Sequence, residues 1–212
     1  MIVALWTGSV AGTLSATYEA QAAFLNPAGT VQGGMLSAML DDLTASLVDA
    51  TLGAYLQLKN ALEKQAGKAL WWVRDITLSN TMWGNRAPLL DHPRAGVHAL
   101  GGGIGQGLAM GIGVALANQE HALGRKTVVM AGDGGFMLNV GELACAAQER
   151  ADMLVLLMND SRYGVIKNIQ DDIYGGRHCY VELHTPDFAQ FCASLKVTHL
   201  RLGAPEQARH VL

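Results

Sequence analysis

A chain of 212 residues has room for one or two domains and a sizeable core. It is 50% hydrophobic and only 16% charged, as suits a largely buried parallel sheet. Its formal net charge of -3, without a Lys/Arg-rich run, excludes a broad electrostatic attraction for nucleic acid. Cys145, Cys179 and Cys192 are scattered and form no Cys-x-x-Cys pair, so neither a disulfide framework nor a zinc site is indicated and a reducing cytoplasm is the expected location.

In chain order, residues 1–6 are apolar but lack a positive leader and a long apolar core, so they do not read as a signal peptide. Residues 13–18 are β-compatible, and Asn26-Pro27-Ala28-Gly29 signals a turn. After Gly33-Gly34 comes an apolar helix over residues 35–52, with Leu36, Met39, Leu40, Leu43 and Leu47 along one side. Residues 54–69 form a polar, helix-like stretch, and residues 70–73 an apolar strand with Asp75 just beyond it. Residues 96–117 carry no formal charge and are long enough to span a bilayer. Each glycine in a helix costs about 1 kcal/mol relative to alanine, so this glycine density, together with His98 and Gln106, favours a loop running into a tightly packed buried helix instead. No membrane segment is expected.

The remaining elements are sharper. Residues 126–131 (KTVVMA) and 153–158 (MLVLLM) are continuous apolar runs, as expected for strands buried on both faces of a parallel sheet. Between them, residues 139–150 have helical apolar spacing at Val140, Leu143, Ala144 and Ala147. Strand, helix, strand makes a right-handed βαβ unit. Gly132-Asp133-Gly134 then follows the first strand, and Asn159-Asp160 follows the second after the intervening residues 135–158. Both Asp133 and Asn159 emerge at the carboxyl edge, where open α/β sheets bind ligands. Neighbouring strands lie about 4.8 Å apart, so two side-chain oxygens can meet on one cation. Magnesium suits such oxygen donors, taking its remaining ligands from phosphate and water. Gly134 and Gly135 leave backbone N–H groups bare beside an anion. Residues 197–202 read as a further strand, and residues 205–212 begin a helix.

With these residues the chain resembles the family of thiamine diphosphate-dependent decarboxylases and carboligases, which includes acetolactate synthase and benzoylformate decarboxylase. The resemblance runs over residues 54–212 and covers the diphosphate-binding domain. It implies that Asp133 and Asn159 are Mg2+ ligands with the backbone carbonyl of Ser161 as a third, and that Gly132, Gly134, Gly135, Tyr163 and Gly164 belong to the same motif. Upstream, Gly101-Gly102-Gly103-Ile104-Gly105-Gln106-Gly107-Leu108 is similar to the family loop under the cofactor's bent middle. Ile104 would lie between the two rings, and the Gly102 carbonyl would bond the aminopyrimidine. Ala109 stands where the family usually has Pro. The implied reaction class is decarboxylation or carboligation of a 2-keto acid. The family's catalytic Glu lies on a separate pyrimidine-binding domain, which nothing before Ala54 resembles. Activity is therefore expected to need a second copy or a partner that supplies that domain, and the chain alone is expected to bind without turnover.

Residues 1–53 carry a different wording. FLNPAGTVQGGMLSAMLDD resembles the hotdog family of acyl-coenzyme A thioesterases. That resemblance implies Gly33 as an oxyanion donor at a helix start, Asp41 as base or nucleophile, and Asn26 as a positioning residue. Gln32 stands where the family often has His. The strands that would wrap such a helix do not follow it, so the hotdog segment is expected to be partial and inactive. The chain reads as an α/β parallel-sheet domain cut before its last strand and preceded by a partial α+β hotdog segment. Its expected role is Mg2+-dependent thiamine diphosphate binding; the alternatives are an acyl-coenzyme A thioesterase-like module and a non-catalytic assembly fragment.

Other residues carry weaker readings. Asp75 fits an acidic strand-end residue near the diphosphate or a plain turn residue. Trp83 and Arg86 resemble entrance positions but read more simply as a packed Trp with a surface Arg, and Glu142 either braces the Gly-Asp-Gly turn or is solvent-exposed. His98 and His178 read as structural. Tyr163, Asn168, Gln170 and Tyr174 fall in the segment that the family uses to cover the cofactor.

Overall fold

The computed structural model describes residues 1–6, 60–64, 70–76, 94–99, 103–203 and 207. Six strands form one all-parallel sheet: β1 (Ile2–Trp6), β2 (Leu70–Arg74), β3 (Gly96–His98), β4 (Lys126–Gly132), β5 (Met153–Met158) and β6 (Thr198–Leu202), in the spatial order β3-β2-β4-β5-β1-β6. The helices are α1 (Gly107–Glu120), α2 (Asp133–Leu138), α3 (Glu142–Gln148), α4 (Gly164–Tyr174) and α5 (Phe188–Ser194). Residues 60–64 are also helical.

Strand alternation divides the core in two. In β4 and β5, Val129, Ala131, Met153, Val155 and Leu157 face one way, packing with Leu108, Ile112 and Ala115 of α1, Leu143 and Ala146 of α3, and Phe188 and Cys192 of α5. Val128, Met130, Leu154 and Leu156 face the other way, with Leu62, Leu70, Trp72 and Leu202. Both faces are covered, which is why these strands are apolar without a polar alternation.

Within the uncharged stretch the described residues include β3, the turn at residues 103–106 and α1. Among the described residues no helix is long and apolar enough to cross a membrane. The glycine density has a packing cause at Gly111, where an added Cβ would lie 2.2 Å from Val129 Cγ2. α1 can therefore lie directly on β4.

β1 is the element that joins distant parts of the chain. It pairs with β5 from Ile2↔Leu154 to Trp6↔Met158 and with β6 from Ile2↔Thr198 to Trp6↔Leu202. These residues belong to the segment 1–53 that resembles a hotdog. The rest of that segment, with Asn26, Gly33 and Asp41, lies outside the described residues, as do Gly102, Trp83 and Arg86.

Candidate functional site

The site follows from the register of two neighbouring strands. β4 and β5 pair through Gly132↔Met158, so Asp133 and Asn159 are each the next residue beyond a matched pair, side by side at the carboxyl edge. Asp133 is also the first residue of α2 and is only 1% exposed. Its Oδ1 accepts from Gly134 N at 2.8 Å and its Oδ2 from Ser161 N at 2.7 Å.

Those two amides do not offset its burial. Desolvation pushes the Asp133 carboxyl up to about 6; the Gly134 N–H opposes that, and the nearby Asp160 carboxylate adds to it. Asp160 is itself raised, chiefly by burial and against the pull of Arg162. Asn159 Oδ1 is buried and has no hydrogen-bond partner. Asp133, the unpartnered Asn159 Oδ1 and Asp160, which Arg162 approaches at 3.8 Å, thus gather acceptor oxygens at one strand edge. Among the described residues no group of three His, Cys, Asp or Glu side chains could hold a metal. A cation here would have to be one that accepts amide and carbonyl oxygens.

The loop that brings Ser161 under Asp133 is held from outside. Ser161 has φ +58, in the left-handed region, and its carbonyl accepts from Leu183 N at 2.8 Å. Arg162 and Glu182 form an antiparallel bridge, and Tyr163 N donates to Val181 O at 2.7 Å. Residues 181–183 thus clamp residues 161–163. The Tyr163 ring lies against the bare face of Gly134, and Gly164 is buried as α4 begins.

Asp75 anchors the other half of the site. Also 1% exposed, it receives Gly105 N on both oxygens at 3.0 and 2.9 Å, Gly107 N at 2.9 Å and Ile76 N at 2.6 Å. It therefore supplies from β2 the cap that Gln106, at the start of α1, does not provide. Gly105 has φ +92, open only to glycine at low cost, and its carbonyl accepts from Asn139 Nδ2 at 2.7 Å. Ile104, the residue before this pinned turn, is 38% exposed.

The structure thus brings Asp133, Gly134, Gly135, Asn159, Ser161 and Tyr163 together beside Ile104 and Asp75. Several other residues stand apart. Glu142 and His98 are exposed. His178 pairs with Asp171 at 2.5 Å, and Asp171 also takes Lys167 at 2.7 Å. On α4, Asn168 and Tyr174 are exposed, while Gln170 bonds both backbone groups of Cys179. Sequence reasoning did not find Asn139. Its signal was a polar residue inside the otherwise apolar run from Phe136 to Val140.

Comparison with known proteins places the chain in a family. The family model "Thiamine pyrophosphate enzyme, C-terminal TPP binding domain" matches residues 79–212, more than half of the chain. The chain belongs to that family. It is 31% identical over 119 residues to the acetolactate synthase large subunit of Haemophilus influenzae, a match covering 55% of this chain and 20% of that protein. To the large subunit of acetolactate synthase isozyme 1 of Escherichia coli it is 36% identical over 94 residues, covering 44% and 16%. The chain thus spans about a fifth of the length of the curated relatives it matches. Among solved structures, benzoylformate decarboxylase from Polynucleobacter necessarius aligns with a TM-score of 0.65 at 16% identity, over 72% of this chain and 29% of that one. That likeness is one of fold: the parallel α/β architecture of a thiamine diphosphate-binding domain.

Proposed function

We propose that this chain binds thiamine diphosphate through Mg2+ held at the paired ends of β4 and β5. The observation that carries the reading is the unpartnered, buried Oδ1 of Asn159 beside the buried Asp133 carboxylate. A hard divalent cation would satisfy both oxygens and relieve the repulsion between Asp133 and Asp160. The Ser161 carbonyl has a second lone pair beyond the one used by Leu183 and would serve as a third ligand. Gly132, Gly134, Gly135, Tyr163 and Gly164 would form the wall around the diphosphate, and Ile104, with the Gly102 carbonyl, would support the rings. When bound, the cofactor supplies the electron sink for decarboxylating a 2-keto acid or joining it to an acceptor.

On this reading the chain's own residues bind and orient, and the proton is handled by a carboxylate of a pyrimidine-binding domain. Among the described residues Glu142 and Glu182 are both exposed, and no glutamate is placed in the site. A pyrimidine-binding domain from a partner or a second copy would complete the reaction.

Calorimetry with thiamine diphosphate tests the reading. The wild-type chain should bind in the presence of Mg2+, and Asp133→Ala should show no detectable heat. Hydrogen–deuterium exchange at the cofactor's thiazolium C2 should stay near its rate in solution. Equal affinity in Asp133→Ala would sink the metal site, and rapid exchange would reveal a base within this chain.

A further inference from the structure

We infer that Asn139 is a positioning residue that makes the glycine loop and the metal-binding turn one mechanical unit, an inference that rests on the cofactor reading above. Gly105 is held at both of its backbone polar groups by side chains far away in sequence. Its N–H donates to Asp75, just past β2, and its carbonyl accepts from Asn139 Nδ2 at 2.7 Å. With φ +92 and no side chain, Gly105 has little conformational preference of its own. Its orientation, and with it the direction of the preceding Ile104, is set by these two pins.

The pins differ in what they are attached to. Asp75 is fixed to the sheet through Asp75 N to Met130 O at 2.8 Å. Asn139 is fixed to the helix that starts at Asp133: its N–H donates to Phe136 O at 3.3 Å, and its carbonyl accepts from Glu142 N at 3.0 Å at the start of α3. A displacement of the Asp133 turn is carried along α2 to Asn139 and from there to the carbonyl of Gly105. Loading the metal half of the site therefore fixes Ile104 in the ring half, before the rings are engaged. Supporting contacts of this kind hold a site to the fraction of an ångström that productive binding needs.

Two probes of the full-length chain separate this role from general support of the fold: thiamine diphosphate with Mg2+, which engages both halves, and inorganic diphosphate with Mg2+, which engages the metal half alone. Loss of one neutral hydrogen bond should weaken thiamine diphosphate binding by roughly threefold to tenfold in Asn139→Ala. Inorganic diphosphate affinity should stay within about twofold. Asn139→Asp, which keeps the shape but sets an acceptor against the Gly105 carbonyl, should lose more. Equal losses for both probes, or none for either, would overturn the proposal. The amide exchange of Gly105 and Gln106 without ligand should also speed up in both variants, and unchanged protection would overturn it as well. If the wild type binds neither probe, the cofactor reading fails, while the exchange measurement still decides whether Asn139 holds the loop.

Discussion

Asp75 and Asp133 occupy equivalent places, each just past the carboxyl end of a central strand and each 1% exposed, yet the molecule treats them differently. Asp75 is saturated by the amides of Ile76, Gly105 and Gly107. Asp133 receives two amides, faces the carboxylate of Asp160, and lies beside an amide oxygen with no partner. Burial alone therefore does not mark a binding residue. Asp75 is the centre of a completed structural knot, whereas Asp133 belongs to a set of acceptors that, on the proposed reading, a cation would complete.

Removing Asp75 should break the comparison most sharply. Asp75→Ala leaves buried amide donors without acceptors and should destabilise the fold by roughly 3–5 kcal/mol, measured by urea denaturation. The loss should be the same with and without Mg2+; a Mg2+-dependent loss would move Asp75 into the metal site. Titrating Asp133 comes next. Its folded value, about 6, lies above its unfolded one, so the metal-free fold binds more protons than the unfolded chain. This group's contribution to stability is full below about pH 4 and is lost as pH rises through 6. Melting temperatures across that window should fall in the wild type more than in Asp133→Asn, and Mg2+ affinity should weaken below pH 6 as protons compete. The smallest effect belongs to Asn159→Leu. Replacing a half-buried amide whose Oδ1 has no partner by an apolar side chain should raise metal-free stability by no more than about 1 kcal/mol while abolishing Mg2+-linked cofactor binding. A marked loss of stability would mean that Asn159 has a structural partner.

Much of this site was legible because its information is local. The apolar runs of β4 and β5 declare buried parallel strands, and the residues directly after them fall at the sheet edge whatever the rest of the chain does. The apolar spacing between them predicts one helix over residues 139–150, but the structure has α2 from Asp133 to Leu138 and then α3 from Glu142 to Gln148. The helical path begins at the aspartate itself and is interrupted at Asn139. The three residues of β3 were too few for a periodic signal. The clamp of 161–163 by 181–183, and the grip of Asn139 on Gly105, depend on contacts between segments whose meeting no local pattern encodes.

β1 sets a constraint on the order of events in folding. Its five residues are made before both of its neighbours, β5 and β6, which follow more than 140 positions later. This apolar strand must wait for residues up to 158 to form its first ladder and up to 202 to form its second, and only then holds an interior place with ladders on both sides. Pairings of such long sequence separation slow a chain's passage to the native state, and an apolar edge left open in the meantime invites a wrong partner. Synthesis rate and chaperone access should therefore govern the yield of this molecule more than they would for a sheet assembled from sequential neighbours.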